Sequence, residues 1–290
     1  MPENVAGCSL CASNRSRLFD RRLFRGIEVV NRRCLNCGLV YQSPRMTEAE
    51  TASFYIKEYR LLQEGSADPT VRNLAIQKAR AGSLVDFVRD TIPAISNHLD
   101  IGSSLGILLQ HFQAYYHSKP IGVEPGEAHR IYARNEGLVV YASIEELEMN
   151  RQASFDLVSL SHVLEHLPNP IVYLESLRKS LLAPDGWLLL EVPNLYAHDS
   201  FEVAHLFAFS PHTLREVICR SGFEIVKFEK HGRPTSAILP LYLTALCRPA
   251  SQLDIRPVRP ERGVTLKRRM GMLRRHILEQ LMPAQAWLKR

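Results

Sequence analysis

The stretch from Asn97 to Glu124 constrains the fold of this chain more than any other part of the sequence. It reads as a short apolar strand over 95–101, a glycine turn over 102–106, a helix over 105–116 and a second strand that ends in a carboxylate. This order predicts a βαβ unit. Such a unit places its turn and the N-terminus of its helix at the carboxyl end of the sheet, where an extended nucleoside can bind.

Helices and strands continue to alternate after Glu124, and this order predicts the rest of the fold. Apolar strands separated by helical stretches are expected at 138–141, 155–161, 187–192 and 223–229. Strands joined in this way indicate a mostly parallel sheet with helices on both faces. Residues 236–247 add a last strand, which we place at an edge or bulge because Pro240 cannot donate to a ladder. We therefore predict an α/β fold with a Rossmann-like, doubly wound, mostly parallel seven-stranded sheet.

The glycine turn after the first strand lacks the usual dinucleotide fingerprint. That pattern needs glycine at three positions, and two of them hold Ser104 and Ile107. The pattern D-x-G-x-G-x-G fits better, as Asp100, Gly102, Ser104 and Gly106. In this turn the chain resembles the class I methyltransferases that depend on S-adenosylmethionine, with a serine at the middle glycine position.

The resemblance implies an S-adenosylmethionine site formed by the turn residues Asp100, Gly102, Ser104 and Gly106. Glu124 ends the second strand, where a carboxylate can accept hydrogen bonds from both ribose hydroxyls. Ser143, which caps a later helix, and Ile144, which begins it, are assigned to the same site. The alternative is an ordinary α/β turn followed by a surface glutamate, and a motif this short leaves it open.

Four of the six cysteines form two C-x-x-C pairs near the N-terminus, Cys8/Cys11 and Cys34/Cys37. Each pair places two thiolates on one tight turn, and two pairs complete a closed tetrahedral site for structural zinc. Gly38, directly after the last cysteine, fits a turn whose backbone amides point at sulfur. A redox C-x-x-C is the alternative for one pair. We predict a small N-terminal zinc ribbon with a hairpin between the pairs.

The segment after the fourth strand contains H-x-x-E-H, as His162, Glu165 and His166. This pattern also occurs on metalloprotease helices. Pro168 and Pro170 follow so closely, however, that a stable helix aiming both histidines at zinc is not expected. The segment is also similar to the one after the fourth strand in methyltransferases of ubiquinone biosynthesis and of glycan clusters.

That similarity implies roles for the residues around the motif. Ser161 and His162 would border the methionine part of the cofactor, and Glu165 and His166 would lie where the methyl group leaves. His205 belongs to a segment that would form a loop and cap over the acceptor. We predict His166 as the general base and His205 as the second candidate, because histidine accepts a proton near neutral pH.

Positive charge is concentrated in the C-terminal part of the chain. Residues 250–290 hold ten Lys or Arg and three Asp or Glu, whereas the net charge of the whole chain is +6. The body is therefore close to neutral, which argues against nucleic acid as a partner. Residues 264–282 place apolar side chains among arginines at helical spacing. We expect a helix packed on the body with its charges in water. The alternative is a helix lying on an anionic membrane surface.

These features divide the chain into four parts. We predict a zinc ribbon at 1–45, a helical linker at 46–70, a methyltransferase domain at 71–248 and a basic, helical tail at 249–290. No apolar run approaches the roughly 18 residues of a membrane span, and no signal-peptide pattern begins the chain. We therefore expect a cytoplasmic protein.

The predicted function is S-adenosylmethionine-dependent methylation of a small acceptor, a sugar or glycan precursor. The cysteine-rich start resembles that of the sugar C-methyltransferases, but the chain is too short for their additional C-terminal domain, so O-methylation is favoured over C-methylation. Two alternatives stay open. One is base methylation of RNA by a zinc-ribbon enzyme, and the other is a methyltransferase fold that has lost catalysis and serves as a binding or scaffold protein.

Overall fold

Strands and helices alternate along the chain in this computed structural model, which describes residues 3–57, 65, 68–150, 154–252 and 256–288. The strands are β1 (Ser16–Phe24), β2 (Ile27–Cys34), β3 (Val40–Gln42), β4 (Asn97–Ile101), β5 (Lys119–Val123), β6 (Val139–Tyr141), β7 (Phe155–Ser161), β8 (Leu182–Pro193), β9 (Phe207–Ala208), β10 (Phe223–His231) and β11 (Tyr242–Pro249). The helices are α1 (Glu48–Lys57), α2 (Val71–Val88), α3 (Ile107–Tyr116), α4 (Glu127–Asn135), α5 (Ile144–Asn150), α6 (Pro170–Ser180), α7 (Pro211–Arg220), α8 (Val264–Leu281) and α9 (Pro283–Ala286).

Seven strands form the central sheet, in the order β10-β11-β8-β7-β4-β5-β6. The strands from β8 to β6 run parallel to one another, whereas β11 pairs antiparallel with both β8 and β10. The predicted Rossmann-like, mostly parallel seven-stranded sheet is confirmed. The expected edge position of the last strand is wrong, because β11 begins only at Tyr242, beyond Pro240, and pairs on both sides. The carboxyl ends of β4, β5 and β7 meet at one edge of the sheet.

Alternate residues of the central strands pack on opposite faces of the sheet. Leu157 and Leu189 belong to an apolar cluster with Phe112 of α3, which also contains residues of α2. Val158 and Leu190 belong to a second cluster, which contains residues of α6 and α7. The parallel strands are therefore covered on both faces, which explains why β4 and β7 are buried along most of their length although they contain polar residues.

A second sheet joins the N-terminal segment to a later part of the chain. The hairpin of β1 and β2 continues into β3, and β3 pairs with β9 at Val40↔Ala208 and Tyr41↔Phe207. Leu39 is fully buried in the same apolar cluster as the main sheet. The predicted zinc-ribbon segment thus shares a sheet and a core with later parts of the chain. Part of the predicted linker, 58–64 and 66–67, lies outside the described residues.

Helix α8 packs on the segment that follows β8. The guanidinium of Arg268 is 8% exposed and donates to the carbonyl oxygens of Leu195 at 2.5 Å and His198 at 2.7 Å. Gly271 lies against Tyr196, so closely that a Cβ at this position would collide with the Tyr196 carbonyl oxygen. The helix is therefore held by backbone carbonyls and by a glycine contact. Within the part of the chain that the structure describes, no helix combines the length and apolarity needed to cross a membrane.

The glycine contact predicts the effect of a methyl group on the docking of α8. Gly271→Ala should lower the free energy of unfolding by about 1–3 kcal/mol, because the added Cβ meets backbone that cannot move aside. Gly82→Ala is the matched control, since Gly82 lies inside helix α2 and its Cβ would meet nothing within 4 Å. There we expect a gain of up to about 1 kcal/mol from helix propensity. Urea unfolding measures the free energy of unfolding of both variants. Equal changes in the two variants would contradict the close contact between Gly271 and Tyr196.

Candidate functional site

A cavity of about 910 Å³ lies at the carboxyl ends of β4, β5 and β7. The predicted cofactor residues on its wall are Asp100, Gly102, Ser104, Glu124, Ile144, Ser161 and His162. The predicted catalytic residues His166 and His205 lie on the same wall. The structure therefore brings most of the predicted site residues together around one space.

Three predicted site residues lie behind this wall. Gly106 begins α3 with a φ of +75°, and a side chain there would collide with Leu138. The hydroxyl of Ser143 accepts a hydrogen bond from the amide of Glu146 and so caps α5. Glu165 is 1% exposed and sits beneath the histidines of the wall. Gly106 and Ser143 thus have packing and capping roles instead of a direct place in the cavity.

Ser104 occupies the middle glycine position of the turn and adopts a left-handed conformation, with φ at +49°. Three hydrogen bonds hold it there. Its amide donates to Glu124 Oε2 at 2.9 Å, and its hydroxyl contacts His129 Nδ1 at 2.9 Å and accepts from Gln77 Nε2 at 3.1 Å. The serine therefore keeps the glycine-like turn through polar contacts, which offset the steric cost of a side chain at positive φ.

Glu124 is buried at the end of β5, and both of its oxygens accept backbone hydrogen bonds. Oε2 accepts from Ser104, and Oε1 accepts from the amide of Gly126 at 2.8 Å. A carboxylate oxygen can accept more than one hydrogen bond, and Glu124 lines the cavity. The contacts with the turn fix the direction in which the carboxylate points.

Asp100 at the end of β4 is part of a buried polar chain. It accepts from the hydroxyl of Ser159 at 2.6 Å, and Ser159 contacts His98 Nε2 at 2.8 Å. Burial, with a smaller effect from the charge of Glu124, raises the pKa of Asp100 to about 7. Burial lowers the pKa of His98 to about 3, so the imidazole is neutral. The hydrogen bonds of this polar chain therefore fix Asp100 beneath the glycine turn.

The H-x-x-E-H segment forms no stable helix. It continues β7 through His162, at a φ of +57°, into a three-residue 3₁₀ turn at Leu164–His166. The interpretation as a metalloprotease helix is therefore excluded. Glu165 lies 3.4 Å from His162 Nδ1 and 4.0 Å from the Nε2 atoms of His166 and His205. Burial opposes its ionisation, but the three imidazoles outweigh this and lower the pKa of Glu165 to about 2.

His166 and His205 differ in the state of their Nε2 atoms. Each Nδ1 is bound to a backbone carbonyl, Ala204 at 2.9 Å for His166 and Ser200 at 2.8 Å for His205. Nε2 of His205 also lies 2.8 Å from Glu202 Oε1. Burial alone would lower the pKa of His205, but the hydrogen bond and charge of Glu202 outweigh it and raise the pKa. Burial lowers the pKa of His166 to about 4, so His166 is the neutral imidazole of the pair.

Sequence reasoning missed a second buried carboxylate beside His162. Glu191 in β8 is 1% exposed and lies 3.3 Å from His162 Nε2, 3.1 Å from Arg80 Nε and 3.4 Å from His231 Nε2. It also accepts from the hydroxyl of Thr244 at 3.1 Å. The sequence could have indicated this residue, because it is a glutamate inside the apolar run LLLEVP. A charged side chain in a buried strand needs polar partners.

Among the residues that the structure describes, two groups of side chains have the composition of metal sites. Beside the cavity, the nearest ligand atoms of Glu165, His166 and His205 lie within 4.8 Å of one another. At the N-terminus, the same holds for Cys8, Cys11, Cys34 and Cys37. The first group can hold a proton or a cation next to the cavity, and the second contains only sulfur donors.

The four sulfurs have the spacing of a tetrahedral zinc site. Cys8 Sγ lies 3.5 Å from Cys37 Sγ, and Cys11 Sγ lies 3.5 Å from Cys34 Sγ. Four thiolates at Zn–S distances of about 2.3 Å would be about 3.8 Å apart, whereas a disulfide needs about 2.05 Å. Both turns have the same form, since the amides of Ala12 and Gly38 donate to the carbonyls of Cys8 and Cys34 and both residues have positive φ. This arrangement fits zinc and not a disulfide.

The cysteine geometry predicts about one tightly bound zinc ion per chain. Metal analysis of protein purified without added metal measures it, and Cys34→Ser should remove most of the zinc because the closed site loses one of four ligands. Cys219→Ser is the control, since Cys219 lies outside the cluster, and it should keep the metal. Zinc-free wild-type protein, or full occupancy in Cys34→Ser, would rule out the site.

Comparison with known proteins supports the same fold. Residues 72–227, a little over half of the chain, match a family model described as a methyltransferase domain. Ubiquinone biosynthesis O-methyltransferases from Haemophilus ducreyi and Histophilus somni are 33% and 31% identical over 106 residues, which cover 33% of this chain and 44% of each relative. The match thus spans less than half the length of these curated relatives.

A solved structure is similar in fold. The crystal structure of Burkholderia thailandensis 1,6-didemethyltoxoflavin-N1-methyltransferase, with bound 1,6-didemethyltoxoflavin and S-adenosylhomocysteine, superposes with a TM-score of 0.56. The superposition covers 75% of this chain and 98% of that one, at 18% identity. Because the family model spans the elements from α2 into β10, this chain belongs to the methyltransferase-domain family.

Proposed function

We propose that this protein transfers the methyl group of S-adenosylmethionine to a hydroxyl of a small acceptor, a sugar or glycan precursor. The observation that carries the proposal is the cavity itself, which has a carboxylate and a glycine-type turn in one part of its wall and a neutral histidine in another. Glu124 and the turn fit a nucleoside. His166 fits the removal of a proton.

The cofactor side of the cavity is organised by Glu124. Its direction is fixed by the amides of Ser104 and Gly126, and two adjacent hydroxyls of a ribose are donors that a carboxylate can accept. Gly102 has a φ of +74° and lies so close to Val163 that a side chain would collide with it. When bound, S-adenosylmethionine supplies an electrophilic methyl group. Holding this group close to the acceptor oxygen accounts for much of the acceleration in this proposal.

The proton of the acceptor hydroxyl is assigned to Nε2 of His166. The hydrogen bond of Nδ1 to Ala204 leaves this nitrogen as the acceptor. The ionised Glu165, 4.0 Å from it, stabilises the imidazolium that forms. His205 is the weaker candidate because both of its nitrogens face acceptors, Ser200 and Glu202. We assign it, with Glu202, to acceptor binding.

A polar part of the cavity wall supports the choice of acceptor class. His198, Asp199, Glu202 and His205 line it, all within residues 198–205. Such a wall offers donors and acceptors to several hydroxyls, which favours a sugar. The names of the two reported relatives favour O-methylation and make an acceptor from ubiquinone biosynthesis the second candidate. Incubating the protein with labelled S-adenosylmethionine and fractionated cell extract distinguishes the two candidate acceptors by the fraction that becomes labelled. Label found only in RNA, or in no fraction, would contradict both candidates.

We also propose a reducing, cytoplasmic location. All six cysteines are free thiols in the structure, and structural thiolate sites of this kind persist where disulfides do not form.

Cofactor binding predicts a defined effect of replacing Glu124. Glu124→Gln should weaken S-adenosylmethionine binding by about 1.5–3 kcal/mol, or roughly ten- to a hundredfold, because hydrogen bonds to a charged acceptor are lost. Glu127→Gln is the control, since Glu127 is exposed in the first turn of α4 and does not line the cavity. Titration calorimetry measures both affinities. Equal affinities in the two variants would mean that the cofactor binds elsewhere, and no binding to the wild type would favour the scaffold alternative.

The assignment of the base predicts a loss of rate without a loss of cofactor. His166→Ala should reduce kcat by a factor of about 100 to 10,000 while the affinity for S-adenosylmethionine changes little. His111→Ala is the matched control, because His111 lies on α3 and bonds only to the carbonyl of Ile107 in its own helix. Full turnover in His166→Ala with the true acceptor would show that another group takes the proton.

The same residue predicts the pH dependence. Burial lowers the pKa of His166 to about 4, and the charge of His205 adds to this, so the neutral base form persists in acid. We expect kcat to stay level from neutral pH to about pH 5 and to fall as the pH passes through about 4, provided that circular dichroism shows folded protein. Half-maximal kcat near pH 6.5, the usual pKa of histidine, would argue for a different base.

A further inference from the structure

Helix α8 presents an apolar face to solvent. Its members, which we call the outer stripe, are spaced three or four residues apart on one side of the helix. Each is between 45% and 74% exposed: Leu266, Met270, Leu273, Ile277 and Leu281. A continuous apolar stripe of this length on a surface helix marks an interaction site.

The face of α8 that packs on the body mixes apolar and polar contacts. Val264 is buried in an apolar cluster and Leu278 packs against another. Arg268 donates to the carbonyls of Leu195 and His198 and forms an ion pair with Asp199 at 3.0 Å. Arg275 donates to the carbonyl of Ala197 at 3.2 Å. The expectation of a helix packed on the body with its charges in water is therefore met only in part, since Arg268 and Arg275 face the body and the outer stripe faces solvent. Because its arginines hold the helix to the body, the outer stripe is left free for another contact.

Basic side chains flank the outer stripe on both sides. Arg269 and Arg274 are exposed, and neither forms an ion pair with any residue that the structure describes. The acidic groups nearby are already engaged. Glu279 accepts from Arg275 at 2.7 Å, and Glu261 lies 3.0 Å from Lys267 Nζ. The surface around the stripe is therefore positive.

This charge distribution selects the partner. In a pair of α8 helices from two copies, the arginines at the edges of the stripes would lie beside one another and repel. A bilayer with anionic headgroups offers an apolar layer for the leucines and negative charge at the depth of the arginines. We propose that the outer stripe docks this protein on an anionic lipid surface.

Docking in this way has a consequence for the cavity. The inner face of α8 is bonded to residues 195–199, and His198 and Asp199 line the polar wall of the cavity. A membrane bound to the outer face therefore lies on the acceptor side of the protein. The proposal rests on α8 alone and holds whether or not the protein transfers a methyl group.

Flotation of the full chain with vesicles tests the proposal. Comparing phosphatidylcholine vesicles with and without phosphatidylglycerol distinguishes binding to anionic headgroups from binding to any lipid surface. We expect flotation only with the anionic vesicles, and weaker binding as salt rises. Trp287 is 38% exposed beyond α8 and Trp187 is buried, so a blue shift of tryptophan fluorescence on adding vesicles would report contact near the stripe.

Matched variants separate the contribution of the apolar side chains to lipid binding from that of the arginines. Combining Leu266→Ser, Leu273→Ser and Ile277→Ser should reduce binding more than tenfold, because three large apolar groups leave the bilayer. Leu18→Ser with Leu23→Ser is the control, since both leucines are exposed on β1, and it should bind as the wild type does. Arg269→Gln with Arg274→Gln should reduce binding about fivefold per charge.

Three results would overturn the proposal. The first is the absence of flotation with anionic vesicles at low salt, and the second is equal flotation with neutral vesicles. The third is a wild-type dimer in light scattering that the stripe variant converts to a monomer, because the stripe would then be covered by a second copy. Circular dichroism of each variant checks that it is folded.

Discussion

Buried carboxylates at one edge of the sheet are the constraint on which the site depends. Asp100, Glu124, Glu165 and Glu191 are each at most 3% exposed, and a charge buried without partners would cost several kcal/mol. Each has different neighbours. Asp100 accepts from the hydroxyl of Ser159 and Glu124 from backbone amides, whereas Glu165 lies near imidazoles, and Glu191 lies near His162, His231 and Arg80 and accepts from Thr244. These partners come from different elements, so the carboxylates tie the elements together around the cavity.

The segment between β8 and α7 connects the other parts of the molecule to this edge. Its strand β9 pairs with β3 of the zinc-ribbon segment, and the amide of Gln42 donates to the carbonyl of Leu206 at 2.8 Å. The same segment carries His205 and receives the arginines of α8 at residues 195–199. Cys34 ends β2 and Cys37 lies just before β3, so the cysteine cluster supports the strand with which this segment pairs.

Local patterns in the sequence were sufficient for the fold and for much of the cavity wall. The turn from Asp100 to Gly106 and the two cysteine pairs each lie within a few residues, so their chemistry could be read directly. Other contacts join residues that are far apart in the sequence, so no local pattern could predict them. Examples are the contacts of Glu191 with His231 and Arg80 and the pairing of β9 with β3. The orientation of α8 was missed for a different reason. Helical spacing identified an apolar face, but the backbone carbonyls that bury Arg268 belong to residues 195 and 198.

The most direct test of this account is a crystal structure of the protein with S-adenosylhomocysteine. We predict that the ribose hydroxyls lie within hydrogen-bond distance of the Glu124 carboxylate and that the sulfur faces the side of the cavity where His166 lies. A nucleoside bound away from Glu124, or a sulfur directed away from His166, would contradict the assignment of both residues.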